Sequence, residues 1–115
     1  MTDDEMNLVF QALAHAHRRR IMDLVGESPS IPVGRLASHF DVSRIAIMNH
    51  LAVLEKAGLI ISERVGTSRQ LYLNATPIRM IYELWTDDFS GHWAGHLLSI
   101  KRMAENAVSK GNRNE

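Results

Sequence analysis

The fold of this chain is decided by residues 43–58, which read SRIAIMNHLAVLEKAG. Ile47, Leu51 and Leu54 recur every three or four residues, so they form one apolar face of an α-helix. The serine that starts the stretch is a good N-cap, and the glycine that ends it suits a helix C-terminal cap. The stretch therefore predicts an amphipathic helix with both of its ends defined.

A shorter helix is predicted just before this stretch and is joined to it by the turn Asp41-Val42-Ser43. Its apolar positions are Val33, Leu36, Ala37 and Phe40, and the preceding proline suits a first helical turn. Two helices joined by so short a turn predict a helix-turn-helix unit.

Two further helices are predicted nearer the N-terminus. The first covers residues 4–15, where apolar side chains have helical spacing and the acidic start favours a helix N-terminus. The second follows the basic run Arg18-Arg19-Arg20 and carries an apolar stripe that ends at Val25. Residues 26–32 are predicted to be a loop, because their glycine and two prolines do not continue a helix.

A β-hairpin is predicted after the decisive helix. Its strands are the β-prone runs at residues 59–64 and 69–73. Residues 65–68, Val-Gly-Thr-Ser, lie between them and supply glycine where the backbone turns. A helix-turn-helix followed by such a ribbon is typical of a winged helix-turn-helix.

The last helical stretch is predicted over residues 77–108. From Trp93 onward its apolar residues alternate spacings of four and three, the pattern of a helix packed on another long helix. Together with the helix at 4–15, it is predicted to form the interface of a homodimer. The predicted interface residues are Met6, Val9, Phe10, Leu13, Trp85, Phe89, Trp93, Leu97, Ile100 and Ala104. Residues 109–115 are polar and are predicted to be a frayed tail.

The sequence thus predicts a mainly α protein with a small β-hairpin, in the order α-α-α-α-β-β-α. Residues 1–108 are predicted to form a single winged-helix domain with a long C-terminal dimerisation helix. Within it, residues 33–73 supply the helix-turn-helix and the wing.

Four fragments, in the same order, resemble the ArsR-type (ArsR/SmtB) bacterial repressors. Residues 12–22, ALAHAHRRRIM, are similar to the family opening ALADPTRRRIL, and residues 33–37 resemble vgeLA. Residues 43–59 resemble SqpaVSkHLkvLreAGLv, and residues 66–73 resemble the wing GrrrlYrL. The resemblance, which is to the small cysteine-free members, implies a dimeric winged helix-turn-helix regulator that binds promoter DNA.

The helix at 43–58 is accordingly predicted to be a recognition helix in the major groove of double-stranded DNA. Arginine can donate two hydrogen bonds to guanine, and asparagine can pair with both edge groups of adenine. The candidate DNA contacts are Ser43, Arg44, Ile45, Ala46, Asn49 and His50. Ile45, Met48 and Asn49 replace the commoner Pro, Ser and Lys/Arg of the family, so one phosphate-binding cation is missing. The alternative is a solvated helix face, with Ile45, Met48 or His50 partly in the core.

The wing is predicted to follow the adjacent minor groove or the DNA backbone, since its tip is cationic. The candidate contacts are Arg64, Thr67, Ser68 and Arg69. The alternative is a hairpin that polar residues merely keep soluble. For Arg18-Arg19-Arg20, the resemblance implies pairing with acids and capping of neighbouring segments, and phosphate contact is the alternative.

Histidines raise the question of a metal. His92 and His96 lie four residues apart on one helix face, as a zinc pair requires. The spacing does not reproduce the Asp-x-His start of ArsR-type zinc sensors, and the chain has no cysteine for the arsenic-type pair. No metal and no cofactor are therefore predicted, and a zinc-responsive repressor that uses His92 and His96 is kept as an alternative.

The charge of the chain is balanced but unevenly distributed. Thirteen Lys and Arg face thirteen Asp and Glu, so the formal net charge is zero. Residues 33–72 hold five basic against three acidic residues, a net of +2, and residues 1–32 hold three against five, a net of −2. This distribution predicts weak, salt-sensitive non-specific binding, with selectivity left to a few base contacts and to dimer geometry.

The predicted function is that of a homodimeric transcriptional regulator, most simply a repressor, that binds an inverted repeat in a promoter. No enzyme is predicted, because the chain has no nucleophile elbow, phosphate loop or spaced carboxylate pair. A cytoplasmic location without membrane contact is predicted, since no apolar run approaches the ~18 residues of a span. An effector of unknown chemistry is a further predicted partner.

The alternative function, from another class of protein, is a winged-helix protein-interaction module that does not bind DNA. The neutral net charge of the chain and the apolar Ile45 and Met48 favour this alternative.

Overall fold

The computed structural model describes residues 1–87 and 101–105 of the chain. Its contacts divide the chain into two units, residues 1–80 and residues 81–115. Several predicted residues lie outside the described ones, namely Phe89, Trp93, Leu97 and Ile100 of the predicted interface and the pair His92 and His96.

The chain is mainly helical, with a small antiparallel sheet. The helices are α1 (Asp3–Leu13), α2 (Ala16–Glu27), α3 (Val33–Ala37), α4 (Arg44–Lys56) and α5 (Thr76–Asp87). The strands are β1 (Ile31–Pro32), β2 (Ile60–Val65) and β3 (Ser68–Leu73). Residues 101–105 are also helical. The predicted winged helix-turn-helix is confirmed, with α3 and α4 as its two helices and β2–β3 as its wing.

Side-chain caps fix where three of these helices begin. The hydroxyl of Ser43 accepts a hydrogen bond from the backbone N–H of Ala46 at 3.1 Å, which confirms the predicted N-cap of α4. At α1, Thr2 and Glu5 exchange backbone-to-side-chain hydrogen bonds as a capping box. His15 caps α2 from an extended backbone, with φ near −130°. Because His15 leaves helical geometry to do so, α1 ends before the predicted position 15.

The wing matches the predicted hairpin, with strands that run closer to the turn. Val65 pairs with Ser68, so Gly66 and Thr67 alone form the turn. Gly66 has a φ of +62°, a left-handed conformation that glycine adopts without steric cost.

The prediction that residues 26–32 form a loop is wrong at both ends. Gly26 and Glu27 complete α2, because glycine costs only about 1 kcal/mol within a helix. Ile31 and Pro32 form the edge strand β1, and Ile31 pairs with Leu71 of β3. Proline is tolerated there because an edge strand does not need every N–H for its ladder. The sheet therefore has three strands in the order β1-β3-β2, where the sequence predicted two.

The core of the first unit lies between α1, α2, α3, α4 and the sheet. The predicted inner face of α4 is confirmed, since Ile47, Leu51 and Leu54 are completely buried. The largest buried side chains are Val9, Ile21, Val25, Leu36, Ile47, Leu51, Leu54, Leu59 and Leu71. Helix α3 is shorter than predicted and ends before Phe40, whose ring instead lies edge-on to His17.

The glycine at the C-terminal cap of α4 is expected to contribute measurably to stability. Gly58 has a φ of +77°, which confirms the predicted glycine cap, whereas Gly34 in α3 has space for a β-carbon. Gly58→Ala is expected to lower the free energy of unfolding by about 1–2 kcal/mol, because a β-carbon strains left-handed backbone. Gly34→Ala, the matched control, is expected to raise it by up to about 1 kcal/mol. Urea unfolding of both variants measures the difference, and equal effects would contradict this account.

Candidate nucleic-acid interface

The N-terminal half of α4 presents its side chains to solvent. Ser43, Arg44 and Asn49 are exposed, and Ile45 leaves 74% of its surface open. Ala46 is half-buried. Within the described residues, the side chain of Arg44 takes part in no hydrogen bond or ion pair, so its five N–H donors are available to a partner. Arg44 and Ile45 lie in the first turn of α4, directly after the Ser43 cap.

A groove with a volume of about 240 Å³ lies between the start of α4 and the tip of the wing. Arg44 lines one side, and Thr67, Ser68 and Arg69 line the other. The start of α3 also contributes to it. Two cations and two hydroxyl groups in one open groove can donate hydrogen bonds to phosphate oxygens. Arg64, also a predicted wing contact, is exposed on β2.

Arg69 is held by the recognition helix. Its Nη2 atom forms an ion pair with Oε1 of Glu55, and its Nη1 atom lies 4.0 Å from the sulfur of Met48. Side-chain exposure is 28% for Arg69 and 26% for Glu55, so the pair is partly shielded from water. Arg69 therefore fixes the wing against α4, a role that sequence reasoning missed.

His50 turns away from the other predicted contacts and packs at the junction of α1 and α2. Its ring centroid is 4.5 Å from that of His15, and its Nδ1 atom is 3.3 Å from Nη1 of Arg18. Burial lowers the pKa of His50, and the positive charges of neighbouring histidines and Arg18 lower it further. The half-buried position agrees with the alternative interpretation of this residue, and its contact with DNA stays a prediction.

The basic run serves to cap α1. The Arg18 guanidinium donates to the carbonyls of Ala12 and Gln11 at 2.8 and 2.9 Å, and Arg19 donates to that of Leu13 at 2.7 Å. Cations at a helix C-terminus satisfy its free carbonyls and its partial negative charge. The predicted capping role is confirmed for these two residues. Within the described ranges, no acidic side chain forms a salt bridge with the run.

Sequence reasoning also missed a cluster of His15, His17 and His50. The spacing His-x-His at 15–17 is visible in the sequence. Nothing local indicates His50 as the third member, because it lies 33 residues beyond His17 and comes from another helix.

Acidification is expected to destabilise the fold through this cluster. Burial first, and nearby positive charge second, lower the pKa of His15 and His50 below the ordinary 6.5. The unfolded chain then binds more protons as the pH falls through that value, so the free energy of unfolding decreases with falling pH. Urea unfolding at about pH 8 and about pH 5 measures the change across the histidine range. His50→Gln is expected to reduce the difference, and equal or greater stability at the acidic pH would contradict the assignment.

A helix-turn-helix whose second helix exposes its N-terminal half, beside a wing and a basic groove, defines a winged helix-turn-helix DNA-binding protein. Residues 13–63 match the family model described as a helix-turn-helix domain.

The chain is similar to transcriptional regulators in sequence and in structure. The chain is 36% identical over 85 residues to YuzN, an uncharacterized HTH-type transcriptional regulator of Bacillus subtilis, covering 69% of this chain and 92% of the relative. It is 35% identical over 74 residues to the transcriptional repressor SdpR of the same organism, covering 64% and 81%. An ArsR-like transcriptional regulator from Rhodococcus sp. RHA1 has a similar solved structure, with a TM-score of 0.67, 28% identity and coverage of 88% and 93%. The chain belongs to the ArsR family of winged helix-turn-helix transcriptional regulators, which bind DNA.

Proposed function

We propose that this protein is a repressor that binds an inverted repeat as a homodimer, with one recognition helix in each half-site. The observation that carries the proposal is the exposed N-terminal half of α4, where the side chains of Arg44 and Asn49 face solvent without a hydrogen bond or ion pair to any described residue. Ser43, Ile45 and Ala46 flank them and can contact phosphate or thymine methyl groups. His50 lies next to this surface, but its half-buried ring packs on His15.

The wing extends the proposed contact to the DNA backbone. Arg64 and Thr67 are exposed at the hairpin, and Ser68 lines the groove next to Arg44. Arg69 contributes positive charge from the same groove while Glu55 holds its side chain.

Self-association is supported by apolar surface on the two helices predicted to form the interface. Phe10 of α1 is 41% exposed and Trp85 of α5 is 54% exposed, while Met6 and Leu13 are half-buried. Val9 is only 1% exposed, so its side chain packs within the subunit. Ala104 is exposed. A solved Mycobacterium bovis protein is a homodimeric winged helix-turn-helix DNA-binding domain. It is 22% identical to this chain, and the similarity shows that the two share a fold.

A repressor role is supported by the relative SdpR, a transcriptional repressor. We further propose a cytoplasmic, non-catalytic protein that acts by occluding a promoter, with an effector of unknown chemistry. Among the described residues, no helix is both long and apolar enough to cross a membrane.

Selection from a random duplex library, followed by gel shift at increasing salt, tests the proposal. The expected result is a competitor-resistant complex on a palindromic sequence whose half-sites lie about one helical turn, or a multiple of it, apart. Light scattering is expected to give the mass of two chains. A folded protein that selects no sequence, even at low salt, would instead favour the protein-interaction module.

Releasing Arg69 is expected to strengthen the electrostatic part of DNA binding. Glu55→Gln removes the ion-pair partner, so Arg69 can reach a phosphate and the salt dependence of binding steepens by about one phosphate contact. The free energy of unfolding should fall by less than about 1 kcal/mol, because the pair is partly exposed. Glu63→Gln on the exposed face of β2 is the matched control, since it removes the same charge without releasing an arginine. An equal change of slope in both variants would mean that Arg69 is not restrained.

A further inference from the structure

We infer that His15, His17 and His50 form a binding site for a late first-row divalent transition-metal ion, with Zn²⁺ as the representative. Each ring offers one nitrogen, and these nitrogens all lie within 4.8 Å of one another. Imidazole is a preferred ligand of zinc, copper and nickel, whereas magnesium and calcium require oxygen ligands. The inference concerns the chain alone and does not depend on the proposed DNA binding.

The centroids of the three rings are separated by about the distances expected for three imidazoles that bind one metal ion. Their centroids are separated by 4.5 Å between His15 and His50, 5.3 Å between His15 and His17, and 5.7 Å between His17 and His50. Tetrahedral zinc with nitrogen ligands at about 2.0–2.1 Å places ring centroids about 5 Å apart. Small ring rotations are therefore enough to direct three nitrogens at one ion.

Two of the rings already hold an unprotonated nitrogen toward hydrogen-bond donors. Nδ1 of His15 accepts from the backbone N–H of His17 at 3.1 Å. Nδ1 of His50 faces Nη1 of Arg18 at 3.3 Å, and a guanidinium can only donate. A metal ion binds the same lone pairs, so it would replace these two hydrogen bonds.

The surroundings leave the site open on one side and supported on another. All three histidines are half-buried, so water can supply a fourth ligand. The ring of Phe40 packs edge-on against His17 and restrains it. The positive charges of Arg18 and Arg19 oppose the metal. These charges are partly offset because the carbonyls of Ala12, Gln11 and Leu13 accept hydrogen bonds from the two guanidinium groups.

Such a site would join α4 to the junction of α1 and α2, which lies far from it in the sequence. His15 and His17 lie where α1 meets α2, and His50 lies on α4. The site uses other residues than the pair His92 and His96 that the sequence indicated, and that pair lies outside the described residues.

Titration of the full chain with Zn²⁺ and with Co²⁺, in the absence of DNA, tests the inference. We expect one ion per chain, visible cobalt bands typical of tetrahedral nitrogen coordination, and a metal-dependent rise in Tm. His50→Gln and His15→Asn are expected to weaken binding at least about tenfold, because even loss of a ligand's supporting partner costs 10–100-fold. Asparagine at position 15 can retain the cap of α2.

His39→Gln, on an exposed histidine outside the cluster, is the matched control and should bind as tightly as the wild type. The inference is overturned if the folded wild type binds no stoichiometric metal, or if His50→Gln binds undiminished. It is equally overturned if only a variant lacking both His92 and His96 loses the ion. Zinc binding by a protein that selects no DNA would contradict the proposed function and leave the metal site intact.

Discussion

Arg44→Ala is expected to lower the affinity for the selected duplex about tenfold or more. A bidentate arginine contact with a base contributes about 1–3 kcal/mol of discrimination, and 1.4 kcal/mol is a factor of ten. The side chain of Arg44 is exposed at the start of α4 and makes no hydrogen bond or ion pair within the described residues, so the substitution removes no such interaction there. The loss should therefore appear in DNA affinity and not in stability. Gel shift or anisotropy on the duplex selected by the wild type measures it.

The matched control for Arg44 is Lys56→Ala at the opposite end of the same helix. Lys56 is exposed in the last turn of α4, so this variant loses the same charge away from the presented half. We expect it to change affinity less than Arg44→Ala and to leave the preferred sequence unchanged. Arg44→Ala should in addition tolerate substitutions at one base pair of each half-site. Equal losses in both variants, with unchanged sequence preference, would show that α4 supplies only general positive charge.

Leu51→Ala is expected to lower the free energy of unfolding by about 2–5 kcal/mol, the range for leucine truncations in a well-packed core. Leu51 is completely buried, in the middle of the inner face of α4. Small domains are stable by only about 5–15 kcal/mol, so this single change removes a large part of the total. Urea unfolding monitored by circular dichroism measures the change.

Val53→Ala provides the comparison for Leu51→Ala on the same helix. Val53 is 38% exposed, so its truncation removes less buried surface, and alanine is a better helix former than valine. We expect its effect to stay below about 1 kcal/mol. Similar losses in the two variants would mean that the face of α4 is assigned incorrectly. DNA binding by any residual folded Leu51→Ala should remain specific, because Leu51 does not reach the exposed surface.

Much of the fold could be predicted because its signals are local. The apolar spacing of Ile47, Leu51 and Leu54 gave the inner face of α4, and the cap at Ser43 gave its start. Glycine at position 58 marked the end of the same helix. Each of these signals depends on residues a few positions apart, so no tertiary context was needed to interpret them.

Strand β1 could not be predicted, because its signal is not local. Two residues ending in proline do not resemble a strand. They become one because β3 offers Leu71 and Gln70 as partners about forty residues later. Pairing across such a distance depends on how the intervening helices pack.

One part of the candidate DNA interface could be predicted from the sequence, and another part could not. Exposure of Asn49 follows from its position opposite the apolar face of α4, which the sequence shows. Arg44 lies three residues before Ile47, on the same side as that face, and is exposed at the first position of the helix. The intramolecular partners of Arg69 and His50 do not follow from the sequence, because each partner comes from a different element of the fold. The structure places Arg69 on Glu55 and His50 on His15, and contact of either residue with DNA stays a prediction.

By itself, the sequence determined helices α1 to α4, the caps of α4 at Ser43 and Gly58, the hairpin and the exposed half of the recognition helix, because helical periodicity and turn chemistry act over a few residues. The tertiary structure alone decided the third strand, the Glu55–Arg69 ion pair between helix and wing, and the meeting of His15, His17 and His50. These features join residues that are distant in the chain. Their proximity is set by the packing of α1, α2 and α4 around the core, which no local pattern records.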